Sequence, residues 1–134
     1  MPSRLRVWGP AAGWAAVLFL LSAWSGPIPS GVPAINDKLV HGCLYAVLGW
    51  TLGYGWTRGP GRFSHAWMIA IGALYGATDE WHQIYVSGRV ADVGDWFADL
   101  VGLVLGYGVA LFVLRQRGDD GSGRQGEGHM SPKA

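Results

Sequence analysis

Four apolar segments alternate with short polar connections along the chain. They cover residues 7–24, 39–56, 63–78 and 96–114. A helix of about 20 residues crosses the roughly 30 Å hydrocarbon core of a bilayer, and each segment reaches that length when it includes flanking polar residues. The second and fourth segments are apolar on all sides, whereas a helix of a soluble bundle keeps its apolar residues on one stripe. The pattern predicts an all-α, integral membrane four-helix bundle.

The composition agrees with a membrane protein. Charged residues make up only 14% of the chain, well below the roughly 25% of a soluble domain. The 22 glycines and eight tryptophans also fit, because glycine is frequent in transmembrane helices and tryptophan at membrane interfaces. The single cysteine, Cys43, excludes an internal disulfide and a zinc site made of cysteine pairs. We therefore expect a multi-pass protein of the cell membrane, with the lipid bilayer as its first partner.

The first and last segments set the domain organisation. A basic start followed by an apolar run also fits a secretory signal peptide, with a weak cleavage site at Ala23 to Ser25. That run is longer than the usual core of about 7–15 residues and prolines follow it, so a transmembrane helix is favoured. Residues 115–134 are Gly-rich and polar without apolar periodicity, which is typical of disorder. The prediction is a four-transmembrane domain over 1–114 and a disordered cytoplasmic tail over 115–134.

The basic residues fix the orientation of the bundle. One predicted side carries Arg4, Arg6, Arg58, Arg62, Arg115, Arg117, Arg124 and Lys133. The other side carries only Lys38 and Arg89. Short loops rich in Lys and Arg stay in the cytoplasm, so both termini are predicted to be cytoplasmic.

The outer side collects an unusual set of polar residues. The candidate site residues are Asp37, Lys38, His41, Asp79, Glu80, His82, Gln83, Arg89, Asp95 and Asp99. Residues three or four apart share a helix face, as Asp95 and Asp99 do. A carboxylate facing lipid would cost about 2.5 kcal/mol or more at the worst depth, so these groups should turn inward. We expect His41, Glu80, Gln83, Asp95 and Asp99 to converge on one outward-opening cavity with Lys38 and Arg89 at its rim.

A purely structural interpretation competes with a functional one. Asp37 and Asp95 could cap the starts of helices, a position that Asp favours. Lys38 and Arg89 could simply neutralise neighbouring acids. For the group as a whole function is the favoured interpretation, because ionisable residues within a membrane are functional candidates by default.

Three stretches of the chain resemble a known family. "DKLVHGCLYAVLG", "DEWHQIYVSGR" and "DWFADLVGLVLG" are similar to the three signature blocks of VanZ-like membrane proteins, within residues 37–106. The matching positions are Asp37, Lys38, His41 and Tyr45, then Glu80, Gln83 and Arg89, then Asp95, Asp99 and Gly102. Position 99 is often Asn in the family, so Asp99 adds a negative charge. The family is named for a protein associated with teicoplanin resistance, and the resemblance implies a role at the cell envelope linked to glycopeptide resistance.

Several functions fit these residues. The first hypothesis is binding of an envelope lipid or cell-wall precursor head group, with Lys38 and Arg89 on its phosphate or carboxylate. The alternative is a small membrane-embedded enzyme, in which His41 or His82 is a general base oriented by a carboxylate. Two His and several acids could also bind Zn²⁺ or Mg²⁺, but the chain has neither an H-E-x-x-H motif nor a Walker loop. Catalytic residues, a metal site and a cofactor are therefore not assigned.

Transport and nucleic-acid binding are two further classes of function. A proton- or ion-coupled transporter is compatible with acids at depth, but four short helices form a small pathway, so a homo-oligomer would be needed. The basic residues lie at the predicted membrane edges without a further basic patch, which argues against nucleic-acid binding.

Overall fold

Four α-helices form the protein. The computed structural model describes residues 3–24, 34–60 and 63–126, and within these ranges there is no β-strand. The helices are α1 (Arg4–Ser22), α2 (Ala34–Arg58), α3 (His65–Gln83) and α4 (Val93–Gly126). The all-α, four-helix architecture predicted from the four apolar segments is confirmed.

The helices include the polar residues that flank the apolar segments. α2 already begins at Ala34, ahead of Asp37, and α3 continues through Gln83. The side chain of Asp92 precedes α4 and accepts a hydrogen bond from the Gly94 N–H at 2.7 Å, which is the geometry of a helix N-cap. The prediction that Asp95 caps α4 is therefore wrong, because the helix starts at Val93 and places Asp95 in its first turn.

The last helix is longer than its apolar segment. A disordered tail was predicted from Arg115, whereas α4 continues to Gly126. Adding a residue to an existing helix costs far less than nucleating one, and Arg and Gln are good helix formers. Residues 127–134, the remainder of the predicted tail, lie outside the described residues.

Consecutive helices run in opposite directions. Early residues of one helix contact late residues of the next, and late residues contact early ones. The contacting pairs are Trp8 with Gly55 and Trp14 with Leu44 between α1 and α2, and His65 with Tyr107 and Ala73 with Trp96 between α3 and α4. The bundle is therefore an up-down-up-down arrangement in which α2 and α4 are parallel.

This arrangement separates the charges between two ends. The basic end comprises the start of α1, the α2–α3 connection and the end of α4, and it carries Arg4, Arg6, Arg58, Arg115 and Arg117. Arg62 and Lys133 lie outside the described residues. The acidic end comprises the end of α1, the start of α2 and the α3–α4 connection, with Lys38 and Arg89 as its basic residues. The segregation expected from the sequence is present in the fold.

The closest packing lies between the parallel helices α2 and α4. Gly42 lies against Gly102, and further along the pair Ala46 lies against Gly106 and Gly49 against Leu103. A Cβ on Gly102 would overlap the Gly42 carbonyl oxygen, so the two backbones touch. Small residues permit such close approach in membrane helices. We call this contact the glycine seam.

Two helices have the length and apolar character of a membrane span. Among the described residues they are Arg4–Ser22 and Val93–Arg117. α2 and α3 are not among these two. In α2 the uncharged stretch 39–56 holds several Gly, Trp and Tyr residues and His41, which lower its hydropathy, and in α3 Asp79 and Glu80 lie near the end of a short helix. The crossing of a membrane by all four helices therefore stays a prediction.

Candidate functional site

The acidic end gathers the polar side chains inside the bundle. α2, α3 and α4 contribute all but one of them, and each of these side chains is buried. The buried polar residues there are His41, Asp79, Glu80, Gln83, Asp95 and Asp99, with Ser22 from the end of α1. Helical spacing produces this convergence, because each helix carries its polar residues one turn apart at the same end.

Lys38 is held by two acids. Its Nζ lies 2.8 Å from Asp92 Oδ2 and 2.8 Å from Asp95 Oδ1. The hydrogen bond from Lys38, followed by that from the Gly94 N–H, lowers the pKa of Asp92. Lys38 thereby joins the start of α2 to the start of α4. It neutralises neighbours and does not present a cation to the cavity described below, so its predicted place at the rim is wrong.

His41 and Asp99 form a buried pair between α2 and α4. The distance from His41 Nδ1 to Asp99 Oδ1 is 3.1 Å. Asp99 is 1% exposed, and its second oxygen, Oδ2, has no hydrogen-bond partner within the described part of the chain. Oδ2 faces α3 at Gly76, where a Cβ would lie 3.6 Å away. A carboxylate bonded to one ring nitrogen fixes the orientation of the imidazole.

Glu80 connects α3 to the start of α4. Its Oε2 accepts a hydrogen bond from the Asp92 N–H at 3.1 Å, and Gln83 Nε2 donates to its Oε1 at 3.3 Å. Glu80 also lies close to the His41–Asp99 pair: one ligand-type atom from each of the three residues lies within 4.8 Å of the others. The predicted inward direction of Glu80 and Gln83 therefore brings them to the same place as His41 and Asp99.

Tyr45 and Ser22 belong to this region although they were not among the candidate site residues. The buried Tyr45 hydroxyl donates to Asp79 Oδ2 at 3.4 Å. The first family block had already matched Tyr45, and Tyr45 follows His41 by one helical turn, so the stripe of Asp37 and His41 also pointed to it. Ser22 gave no such signal, because a single hydroxyl at the end of an apolar helix breaks no pattern.

A cavity of about 340 Å³ opens at the acidic end between α1, α2 and α3. Its polar lining is Ser22, Asp37, His41, Tyr45, Asp79, Gln83 and Arg89. Its apolar lining is Leu18, Leu21, Trp24, Val40 and Leu44. The cavity lining is therefore amphipathic, and α1 and α2 each contribute both polar and apolar side chains to it.

The side chains that were expected to share one cavity form two adjoining groups instead. Lys38, Glu80, Asp95 and Asp99 are absent from the cavity lining and lie on the α4 side of α2. The glycine seam explains the division, because backbone contact between α2 and α4 leaves no space there. His41 belongs to both groups, since it contacts Asp99 and also lines the cavity.

Arg89 and His82 occupy different surroundings from each other. Arg89 lines the cavity, and its Nη2 lies 3.5 Å from the Leu21 carbonyl oxygen. In the ranges 3–24, 34–60 and 63–126 it makes no ion pair, while Lys38 and His41 do. His82 instead packs on Phe19, with the ring centroids 4.9 Å apart, and is not part of the cavity lining. Of the two predicted bases, only His41 therefore reaches the site.

The family model described as VanZ/LLP1 matches residues 10–114. The chain belongs to the VanZ/LLP1 family. The resemblance inferred from three blocks is confirmed, and the match also takes in most of α1, which none of those blocks includes. No match is found among curated proteins or among solved structures. In this VanZ/LLP1 protein the block residues His41, Glu80 and Asp99 are the ones that meet across three helices.

Proposed function

We propose that this VanZ/LLP1 protein is a multi-pass protein of the cell membrane whose outward-facing cavity binds the head group of an envelope lipid or cell-wall precursor. The observation that carries the proposal is an amphipathic cavity that contains an arginine without an ion-pair partner among the described residues. In this proposal both termini are cytoplasmic, so that the acidic end faces outward, in accord with the positive-inside rule.

The outer surface of the bundle supports a lipid environment for all four helices. Large apolar side chains are exposed on every helix, among them Phe19, Val47, Leu74 and Val101. Exposed large apolar side chains on every helix are unusual for a soluble monomer. α2 contacts α4 from Gly42 to Gly53, so a bilayer that contains α4 also contains α2.

The polar lining suits an anionic head group with hydroxyls or amines. Because Lys38 is bound by Asp92 and Asp95, Arg89 is the cation that the cavity offers. A guanidinium binds phosphate or carboxylate through two parallel hydrogen bonds. Asp37 and Gln83, which also line the cavity, can accept hydrogen bonds from sugar hydroxyls or amines.

The apolar lining suits the chain of a lipid rather than a soluble anion. Leu18 and Leu21 from α1 and Val40 and Leu44 from α2 line the same cavity as the polar groups. Trp24 also lines the cavity, and tryptophan favours the membrane interface. A ligand with an anionic head and an apolar chain would satisfy both halves of the cavity.

Lipid binding to the purified full-length chain in detergent tests the proposal. The probes are phosphatidylglycerol, a polyprenyl diphosphate and, for comparison, phosphatidylcholine, measured by native mass spectrometry. A charge-assisted hydrogen bond contributes about 1.5–3 kcal/mol, so Arg89→Ala should weaken anionic-lipid binding roughly ten- to a hundredfold. Arg58→Ala at the basic end is the matched control and should bind normally.

Several outcomes are decisive. Preference for the polyprenyl diphosphate assigns the head group to a cell-wall precursor, and preference for phosphatidylglycerol assigns it to a membrane lipid. Equal affinity for phosphatidylcholine, or normal binding by Arg89→Ala, would refute the head-group proposal. If Arg89→Lys binds as well as the wild type, charge alone suffices and the bidentate contact is wrong.

The orientation has its own test. A reporter that is active only outside the cytoplasm, fused after Arg117, should give no signal. A cysteine placed at Ser87 in a Cys43→Ser background should react with an impermeant thiol reagent in intact cells. A strong external signal from the fusion would overturn the proposed topology.

A link to glycopeptide resistance is part of the proposal if the ligand is a cell-wall precursor. Expression in a teicoplanin-susceptible host should then raise the inhibitory concentration of teicoplanin, and Arg89→Ala should abolish the increase. An unchanged inhibitory concentration with a correctly inserted wild-type protein would separate this family member from that phenotype.

A membrane enzyme is the second candidate, and the His41–Asp99 pair favours it. A base held by a carboxylate beside a substrate cavity is the usual arrangement for proton transfer. In that case the lipid recovered after incubation would be chemically altered. His41→Gln would stop the alteration while Arg89-dependent binding persists, whereas recovery of unaltered lipid in every case argues for binding alone.

A further inference from the structure

Three buried side chains at the acidic end have the donors of a metal site. His41 comes from α2, Glu80 from α3 and Asp99 from α4, and one donor atom of each lies within 4.8 Å of the others. The set offers one imidazole nitrogen and two carboxylate oxygens. These are typical ligands of a divalent transition-metal ion, and they are held here by three separate helices.

A second observation points to a missing partner at the same place. Asp99 is 1% exposed, and its Oδ2 accepts no hydrogen bond from any described residue. A buried carboxylate oxygen without a donor has lost its hydration without gaining a hydrogen bond in exchange. Oδ2 faces α3 at Gly76, and Glu80 follows Gly76 by one helical turn on the same face. The unpartnered oxygen therefore lies towards the helix face that carries the second carboxylate.

The charges in this region are also unbalanced. Buried charges are normally paired or bound to metal ions. Lys38 is bound by Asp92 and Asp95, and within the described ranges neither Glu80 nor Asp99 has a Lys or Arg within 4.0 Å. The His41 imidazole can offset at most one of these two carboxylates. A divalent cation would offset both.

We propose that His41, Glu80 and Asp99 bind one Zn²⁺-like divalent transition-metal ion. Two ligand atoms bound at about 2.0–2.2 Å to one Zn²⁺ lie about 3–3.5 Å apart, and His41 Nδ1 and Asp99 Oδ1 are 3.1 Å apart. Glu80 Oε1 is held only by Gln83, at 3.3 Å, so it can turn onto the ion. The nitrogen ligand favours Zn²⁺ over Mg²⁺.

A neighbouring set of side chains is a poorer site. Asp37, His41 and Asp95 also lie within 4.8 Å of one another. However, the Asp95 carboxylate is bound by Lys38 at 2.8 Å, and Asp37 is exposed. Binding there would displace Lys38 from Asp95, whereas at His41, Glu80 and Asp99 the ion would take the place of the proton between His41 Nδ1 and Asp99 Oδ1.

His41 connects the proposed ion to the cavity. Three protein ligands leave one position of a tetrahedral ion open, and His41 lines the cavity on its other side. The inference does not depend on lipid binding, because metal content is measured on lipid-free protein and Arg89 is not a ligand.

The test uses the full-length chain in detergent, stripped with a chelator, reloaded with Zn²⁺ or Mg²⁺ and desalted. Elemental analysis should find about one Zn²⁺ per wild-type chain and less than a tenth as much Mg²⁺. His41→Gln and Glu80→Gln should lose at least nine-tenths of the Zn²⁺. His82→Gln removes a histidine from the same end without touching the site and should keep the wild-type content.

Two further measurements secure the result if a variant fails to fold. Zn²⁺ should raise the melting temperature of the wild type and of His82→Gln, since a ligand that binds only the folded state stabilises it. X-ray absorption at the zinc edge of the wild type should show one imidazole among oxygen ligands. Wild-type protein without Zn²⁺, equal retention of Mg²⁺, zinc without imidazole, or folded His41→Gln with normal Zn²⁺ would each overturn the proposal.

Discussion

The two sides of α2 are packed in opposite ways. Towards α4, the glycine seam brings Gly42 against Gly102 so closely that backbone meets backbone. Towards α1, the same helix faces a cavity of about 340 Å³ lined by Val40 and Leu44. One face of α2 therefore fixes its position, and the other leaves room for a ligand.

His41 lies on the boundary between these two regions. On the seam side it contacts Asp99 at 3.1 Å, and on the other side it lines the cavity. A rigid seam holds a catalytic or binding group in place better than a loop does. The seam fixes the position of His41, and in the proposed function the cavity beside it would determine which ligand fits.

Substitution in the seam should have the largest effect. A Cβ on Gly102 would overlap the carbonyl group of Gly42, and backbone cannot rotate away as a side chain can. Overpacking typically costs about 1–3 kcal/mol and sometimes more. Gly102→Ala should therefore lower the melting temperature in detergent and reduce the yield of monodisperse protein.

Gly108 is the matched control for this substitution. It lies on the same helix, and a Cβ there would meet nothing within 4 Å. Replacing a helical Gly by Ala otherwise stabilises by up to about 1 kcal/mol, so Gly108→Ala should be neutral or stabilising. A similar loss in both variants would mean that the seam is not the tight contact described.

Filling the cavity should have the next largest effect, on binding rather than on stability. Leu44 lines the cavity. Leu44→Trp should fill part of the cavity with the indole ring, and because a ligand binds by occupying a concave pocket, lipid binding should weaken at least about tenfold. Native mass spectrometry with the anionic lipids measures this change alongside the melting temperature.

Val47→Trp is the matched control for the indole ring that Leu44→Trp adds. It lies on α2 with its side chain exposed on the outer surface, so Val47→Trp adds the same ring outside the cavity. That variant should bind lipid normally. If Leu44→Trp binds normally while folding normally, the cavity is a packing gap and not a ligand site.

Much of this arrangement could be predicted from the sequence. Four apolar runs predicted four helices, and the cost of facing lipid predicted that His41, Glu80 and Asp99 turn inward. The separation of the cavity from the α4 side could not be predicted, because it depends on which glycines meet across helices. The start of α4 at Val93 was also not predicted, and neither was the N-cap that Asp92 provides for this helix.

A three-residue metal site could not be read from the sequence either. Its candidate ligands are His41, Glu80 and Asp99, which are far apart along the chain and form no local motif such as H-E-x-x-H. Only the parallel pairing of α2 with α4, and the antiparallel packing of α3, bring them together. The pattern predicted that these side chains turn inward and converge at one end, and the fold shows which three of them bring donor atoms within 4.8 Å of one another.

Removing the Tyr45 hydroxyl should have a moderate effect. Tyr45 donates to Asp79 Oδ2 at 3.4 Å, and both residues are buried. Tyr45→Phe leaves the buried Asp79 carboxylate without that donor, which typically costs about 1–3 kcal/mol of unfolding free energy. Because the hydrogen bond is long, we expect a loss at the lower end of this range. Thermal unfolding should show the loss, and Tyr54→Phe, a half-buried tyrosine of the same helix, should not.

The smallest effect is expected at the exposed edge of the site, at Asp92. The hydrogen bond from Lys38 lowers its pKa below the ordinary value of 3.8. A carboxylate with a lowered folded-state pKa stabilises the protein above its unfolded pKa and loses that contribution as the pH falls through the folded value. Asp92→Asn keeps a capping side chain and leaves Asp95 on Lys38, so the wild type should melt only slightly higher at pH 7 and low salt. That difference should shrink in high salt, since exposed charges are screened, and vanish once the pH is well below 3.8.

Asp37→Asn, an exposed acid on the same end, is the control for a general change in charge. A difference that grows on acidification, or that equals the effect of Asp37→Asn, would contradict the assigned role of the Lys38–Asp92 pair.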